Sequence, residues 1–301
     1  MEKVTFGNKL GLALSAVLFT PEKLNQQSKY PALIVTGPAG AIKEQTAGLY
    51  AKEMATYGFV TVTMDGSFEG ESEGTPHYQE NPSARVEDIR SAVDYLVTLP
   101  FVDDQRIGII GICAGGGYAV SAAMTERRIH AVALASPVNA GREMRAGGQE
   151  ETIQALKMVA DLRTREARGE EPTLLPWMPD EYQTSNDIDE REGYDYYRTS
   201  RGANKKWINK MRFSSMDAVY SFDAFQFAEL LLTQPLRIIV GSKVGSFNAL
   251  FDAKDVYERA ASQQKDLTII EGASHFEFYD KRVPETAAEF AKFFSKNMGE
   301  Q

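Results

Sequence analysis

The sequence predicts an α/β protein with a mostly parallel sheet, helices on both faces and a helical insertion near its middle. Three observations predict it. Short apolar runs ending in glycine alternate with amphipathic helical segments on both sides of the chain's centre. That rhythm breaks between about residues 141 and 221. A glycine-rich turn, G-x-C-x-G at Gly111–Gly115, follows one of the apolar runs. The 301 residues suffice for one such domain with an insertion, and 43% hydrophobic with 25% charged residues is ordinary for a globular chain.

At the N-terminus, "KVTF" alternates, and "LALSAVLF" lies between the turn-like "GNK" and "TPEK", which suits a strand hairpin. Read instead as a signal segment, "LGLALSAVLF" is preceded by an acid and followed by no small-residue cleavage site. "YPALIVTG" (30–37) and "FVTVTMD" (59–65) read as buried parallel strands, with the helical "IKEQTAGLYAKEMATYG" between them. "ARVEDIRSAVDYLVTLP" (84–100) is an amphipathic helix closed by Pro100. Next come "RIGIIGI" as a strand, "AGGGYAVSAAMTE" as a helix and "HAVALASP" as a strand. The run Ile107–Met124 is long enough to span a bilayer, but Gly115, Gly116 and Gly117 make a poor lipid-facing helix. After the insertion, "PLRIIVGS" (235–242) and "DLTIIEGASH" (266–275) are strands, separated by "FDAKDVYERAASQQ" and followed by the closing helix "PETAAEFAKFFSKNM".

Residues 1–140 and 222–301 therefore form the two parts of one core, and 141–221 a largely helical cap. The cap carries both tryptophans, Trp177 and Trp207, and the cluster Tyr194, Tyr196 and Tyr197, and aromatic-rich segments pack. A net charge of −9 without any basic block argues against nucleic acid as a partner. One cysteine excludes an internal disulfide, and with no membrane segment the chain reads as cytoplasmic. The oligomeric state, a homo-oligomer included, is open.

In parallel α/β sheets ligands bind at the carboxyl ends of the strands, so reactive residues in the loops there are the candidates. Cys113 occupies the tight strand-to-helix turn after "RIGIIGI", where the helix beginning at Ala114 favours a thiolate. Of three histidines, His130 starts a strand and so lies at the wrong end. His77 lies on the right edge, and His275 follows the last strand, in the order nucleophile, acid, histidine. His275 is the candidate base. The N–H groups of Ala114 and of Ala39 in "GPAGA" are the oxyanion donors, since Pro38 has none. The loop "SKVGSFNALF" holds no carboxylate, so Asp252, ahead of Asp255, is the candidate acid. The alternatives are a helix cap or surface charge at Asp252, with a Cys-His dyad as the centre. Lys43 and Glu44 either reach the site mouth or form a surface pair on a helix.

With "GPAGAIKEQTAGLYAKEMATYGF", "DGSFEGESEG", "VDDQRIGIIGICAGGGYA" and "GASHFEFYD" in hand, the chain resembles the α/β-hydrolase superfamily. Within it the likeness is to the dienelactone-hydrolase-like branch, with bacterial uncharacterised hydrolases and fungal polyketide transferases. The resemblance implies an eight-stranded sheet and a Cys113–His275 centre that acts on a small ester, lactone or thioester without a cofactor or metal. Transfer of the acyl group to an alcohol or amine is the alternative, as is an inactive fold that binds a small ligand.

Overall fold

The computed structural model describes residues 1–182 and 185–299. The first half alternates strand and helix: β1 (Glu2–Gly7), β2 (Ala13–Phe19), β3 (Tyr30–Thr36), α1 (Thr46–Thr56), β4 (Val60–Met64), α2 (Pro82–Val97), β5 (Val102–Ile112), α3 (Ala114–Thr125) and β6 (Ile129–Ala135). The middle holds α4 (Ala140–Met144), α5 (Gly148–Ala167), β7 (Leu174–Leu175), α6 (Ile188–Arg198), β8 (Met211–Arg212), α7 (Asp217–Tyr220) and α8 (Ala228–Leu231). The chain then returns to the sheet with β9 (Leu236–Gly241), α9 (Ala249–Arg259), β10 (Lys265–Ile270) and α10 (Val283–Asn297).

Eight strands form one sheet in the order β1-β2-β4-β3-β5-β6-β9-β10. β2 pairs antiparallel with both β1 and β4, and every pairing from β4 to β10 is parallel. Position in the sheet explains the sequence patterns. β9 is covered on both faces and every one of its residues is buried, hence the unbroken "LRIIVG". β10 is an edge strand, with exposed Asp266 and Ile269.

Two departures from the sequence reading have local causes. α2 starts at Pro82 because the Asn81 side chain accepts from the Ala84 N–H and Pro82 fits the first turn. The last strand stops at Ile270, and His275–Tyr279 forms a single 3-10 turn instead. The run Ile107–Met124 divides into the end of β5 and all but the last residue of α3, and among the described residues no helix is long and apolar enough to cross a membrane. The segment read as helical also contains a two-stranded ladder, β7 against β8. Its own packing is thin in α5, where only Val159 and Leu162 are buried. Farther on, Tyr196 and Tyr197 are buried against Phe276 and Tyr279 of the core.

Candidate active site

Cys113 stands at the carboxyl end of β5, immediately before α3, with φ 56° and ψ −129°. A non-glycine residue in this region costs on the order of 1–3 kcal/mol, held here by the surrounding packing. The flanking glycines are steric necessities. A Cβ on Gly115 would lie 2.4 Å from the Gly37 carbonyl oxygen, and one on Gly111 2.6 Å from that of Gly115. The turn thus places the thiol at the sheet edge, as its sequence pattern implied.

His275 lies in the 3-10 turn after β10, buried among Phe247, Phe276 and Tyr279, with ring centroids 5.2, 5.3 and 5.3 Å away. Its Nε2 is 3.2 Å from the Tyr279 hydroxyl. The same hydroxyl and the Ala114 N–H lie near the Cys113 sulfur and favour its thiolate. One phenol therefore adjoins both residues singled out from the sequence. Tyr279 itself was missed. Its signal was its place in "SHFEFYD", an aromatic residue with a hydroxyl in the same short turn as His275.

Burial sets the charge state. It pushes the Cys113 thiol up to about 12, although the Tyr279 hydroxyl and Ala114 N–H favour the thiolate. It pulls His275 down to about 3. At neutral pH the pair rests as thiol and neutral imidazole, so the helix N-terminus does not by itself yield the thiolate expected from the sequence.

Cys113 and Tyr279 open onto a cavity of about 130 Å³. Its floor includes Ala39 and Ala114, and Trp177, Met178, Tyr197 and Trp207 come from the 141–221 segment. Two carboxylates reach its wall, Glu80 and Glu143. Glu80 accepts from the Tyr118 hydroxyl at 2.8 Å and the Gly40 N–H at 3.3 Å. Burial raises the Glu143 carboxyl from its ordinary value. The loop Pro38-Ala39-Gly40 is also held from the other side, where Trp207 Nε1 donates to the Gly40 carbonyl at 2.8 Å. Between these restraints, the Ala39 N–H has no acceptor among the described residues.

Asp252 is not brought to His275, which corrects the expectation of it as the acid. Both its oxygens face Arg142, at 2.8 Å from Nε and 2.6 Å from Nη2, and Oδ2 also accepts from the Asn139 N–H at 2.8 Å. Lys43 neither reaches the mouth nor sits on a surface. It is buried, 2.6 Å from Asp65 and 2.8 Å from Glu71, which accounts for "IKEQ" and "DGSFEGESEG" together. Lys206 joins Glu44 and Glu71 at 2.8 and 2.9 Å. His77 is 3.2 and 3.3 Å from the carbonyls of Gly74 and Gly70 in its own loop, and His130 lies near the start of β6.

The sheet order, the elbow and the histidine after the last strand define an α/β hydrolase. Within that class, residues 11–214 match the family described as X-Pro dipeptidyl-peptidase (S15 family), and the chain belongs to it. It is 39% identical over 305 residues to the uncharacterized protein YcjY of Escherichia coli K12, covering 98% of this chain and 99% of that one. The crystal structure of the hypothetical protein PA2218 from Pseudomonas aeruginosa superposes with a TM-score of 0.90 at 30% identity, over 98% of this chain and 93% of that one. The α/β hydrolase GrgF from Penicillium shares the fold at a TM-score of 0.84 and 20% identity, over 99% of each chain. A polyketide transferase of that name is 25% identical over 185 residues, 62% of this chain and 60% of its own.

Proposed function

We propose that this protein is a cysteine hydrolase that opens small apolar esters, lactones or thioesters through an acyl-enzyme on Cys113. The observation that carries the reading is the Tyr279 hydroxyl, 3.2 Å from His275 Nε2 and beside the Cys113 sulfur at the edge of a mostly apolar cavity. As sulfur attacks the carbonyl carbon, the Tyr279 hydroxyl turns to donate to Nε2, so that the thiol proton passes to the Tyr279 oxygen and the tyrosine proton to Nε2. The carbonyl oxygen takes up the negative charge, held by the Ala114 and Ala39 N–H groups. Collapse breaks the bond to the leaving group, which takes the proton from His275. Water then attacks the thioester, gives a proton to His275 and releases the acid, and the thiol is restored.

The resting thiol fits this sequence, because proton transfer accompanies attack rather than preceding it. A mostly apolar cavity of about 130 Å³ is close to the ~150 Å³ known to hold benzene, which suits a small apolar acyl group. The segment 141–221 acts as the cap that sets this limit, through Trp177, Met178 and Trp207.

Intact-mass measurement after rapid mixing with p-nitrophenyl butyrate tests the reading. The wild type gains one butyryl group and Cys113→Ala gains none. Undiminished turnover by Cys113→Ala would refute it. The apolar lining also favours a second reading, transfer of the acyl group to an alcohol, in keeping with a relative that is named a polyketide transferase. Butyrate as the sole product at saturating alcohol would discard transfer.

A further inference from the structure

We propose that Asp189, carried by α6 of the 141–221 segment, supplies the carboxylate that balances the His275 imidazolium during turnover. The inference rests on the Cys113–His275 reading and completes it. The loop from Ser242 to Asn248 follows β9, where an acid is expected, and contains none. Asp189 comes to that loop from outside it. Its Oδ2 accepts the Phe247 N–H at 3.0 Å. Gly245 makes room, since a Cβ there would lie 2.4 Å from the Asp189 Cγ. Ser246 fastens the same helix end by donating to Asp187 Oδ1 at 3.2 Å.

Phe247 connects the two groups: its backbone N–H holds Asp189, and its ring meets the His275 ring edge-on. Two buried polar atoms are left without hydrogen-bond partners here, Asp189 Oδ1 and His275 Nδ1. Nδ1 is the nitrogen turned away from Tyr279, the one an orienting acid serves. Asp189 is 2% exposed and forms no ion pair among the described residues.

The charged groups that influence Asp189, Asp187 and Glu192, are also acidic and, with burial, push it up to about 6. A buried carboxylate without a cation costs stability, and such groups concentrate at functional sites. Its field also reaches Cys113, where it disfavours a bare thiolate. On the proposed reading, a negative charge at Asp189 also favours the imidazolium that forms as His275 takes the proton. Asp189 thus suits a step in which sulfur loses its proton only as it bonds to carbon. It acts through His275 and is a positioning residue.

The test compares Asp189→Asn, Gly245→Ala and Asp252→Asn with His275→Ala in the full chain, using p-nitrophenyl butyrate. Asp189→Asn keeps an acceptor for the Phe247 N–H and is expected to lose about a hundredfold or more in kcat, with KM changed less than about threefold. Wild-type kcat falls as pH drops through about 6, and the residual kcat of Asp189→Asn is flat there. Gly245→Ala, which displaces the carboxylate, lowers kcat in the same direction, whereas Asp252→Asn leaves it unchanged. If His275→Ala is inactive while Asp189→Asn keeps kcat within about twofold of wild type, the inference is overturned and the parent reading stands. If His275→Ala is itself fully active, both fall.

Discussion

Asp189 and Asp252 are both buried, and both are tied to Phe247, yet the fold treats them in opposite ways. Asp189 takes the Phe247 N–H, while Asp252 holds Arg142, whose Nη2 donates to the Phe247 carbonyl at 2.7 Å. Asp252 has a guanidinium and a backbone donor for its two oxygens. Asp189 has one backbone donor and an orphaned oxygen. A satisfied ion pair fastens α4 to α9, whereas an unsatisfied buried carboxylate is the kind of group that concentrates at functional sites. Buried charge alone identifies neither role; the partner does.

The largest expected effect removes the sulfur. Cys113→Ala should cut ester turnover by roughly a thousandfold or more, read from initial rates. Tyr279→Phe keeps the ring packing and removes the bridging hydroxyl, so kcat should fall about 10- to 100-fold at nearly constant Tm. Alkylation of the free enzyme by iodoacetamide should be slow at pH 7 and quicken about tenfold per pH unit up to 9, since only the thiolate reacts. A plateau near pH 7 would mean a stored ion pair and would contradict a thiol held near 12.

The two aspartates should then separate on stability. Asp252→Asn strips Arg142 of its charge partner and is expected to cost about 2–3 kcal/mol in urea unfolding, because the guanidinium is only partly solvated. Asp189→Asn should do the reverse and stabilise by about 1–2 kcal/mol at pH 8. The sign follows from linkage. Folding raises Asp189 from 3.8 to about 6, so the native state binds the proton more tightly and loses stability as pH climbs between those values. The gain from Asp189→Asn should therefore vanish below pH 4. Equal losses in both variants would erase the distinction between them.

Much of the core was legible because its signals are local. A strand ending in G-x-C-x-G has little choice but to turn tightly, and the glycine contacts at Gly111 and Gly115 show why. His275 was legible through topology, as the histidine after the last strand. Asp252 misled because proximity in sequence to β9 carried no information about Arg142, 110 residues earlier. Tyr279 was hidden by reading "EGASH" as strand, which gave its neighbours the wrong periodicity. Asp189 lay in a segment without sheet rhythm, so nothing in its surroundings fixed where it would fall. Lys43 reads from the sequence as reaching the site mouth or as half of a surface pair, yet a buried lysine needs several acids, and these came from a loop beyond the next strand.

The Trp207 indole N–H that holds the Gly40 carbonyl bears on how specificity can change in this scaffold. On the proposed reading, the segment that lines the acyl pocket is also a strut for the loop that offers the Ala39 N–H. Swapping that segment for a relative's, to admit a longer substrate, would therefore loosen the chemistry while widening the pocket. Pocket shape and loop position are mechanically linked here. A redesign that keeps Trp207 and varies Met178 and Met216 instead would uncouple them.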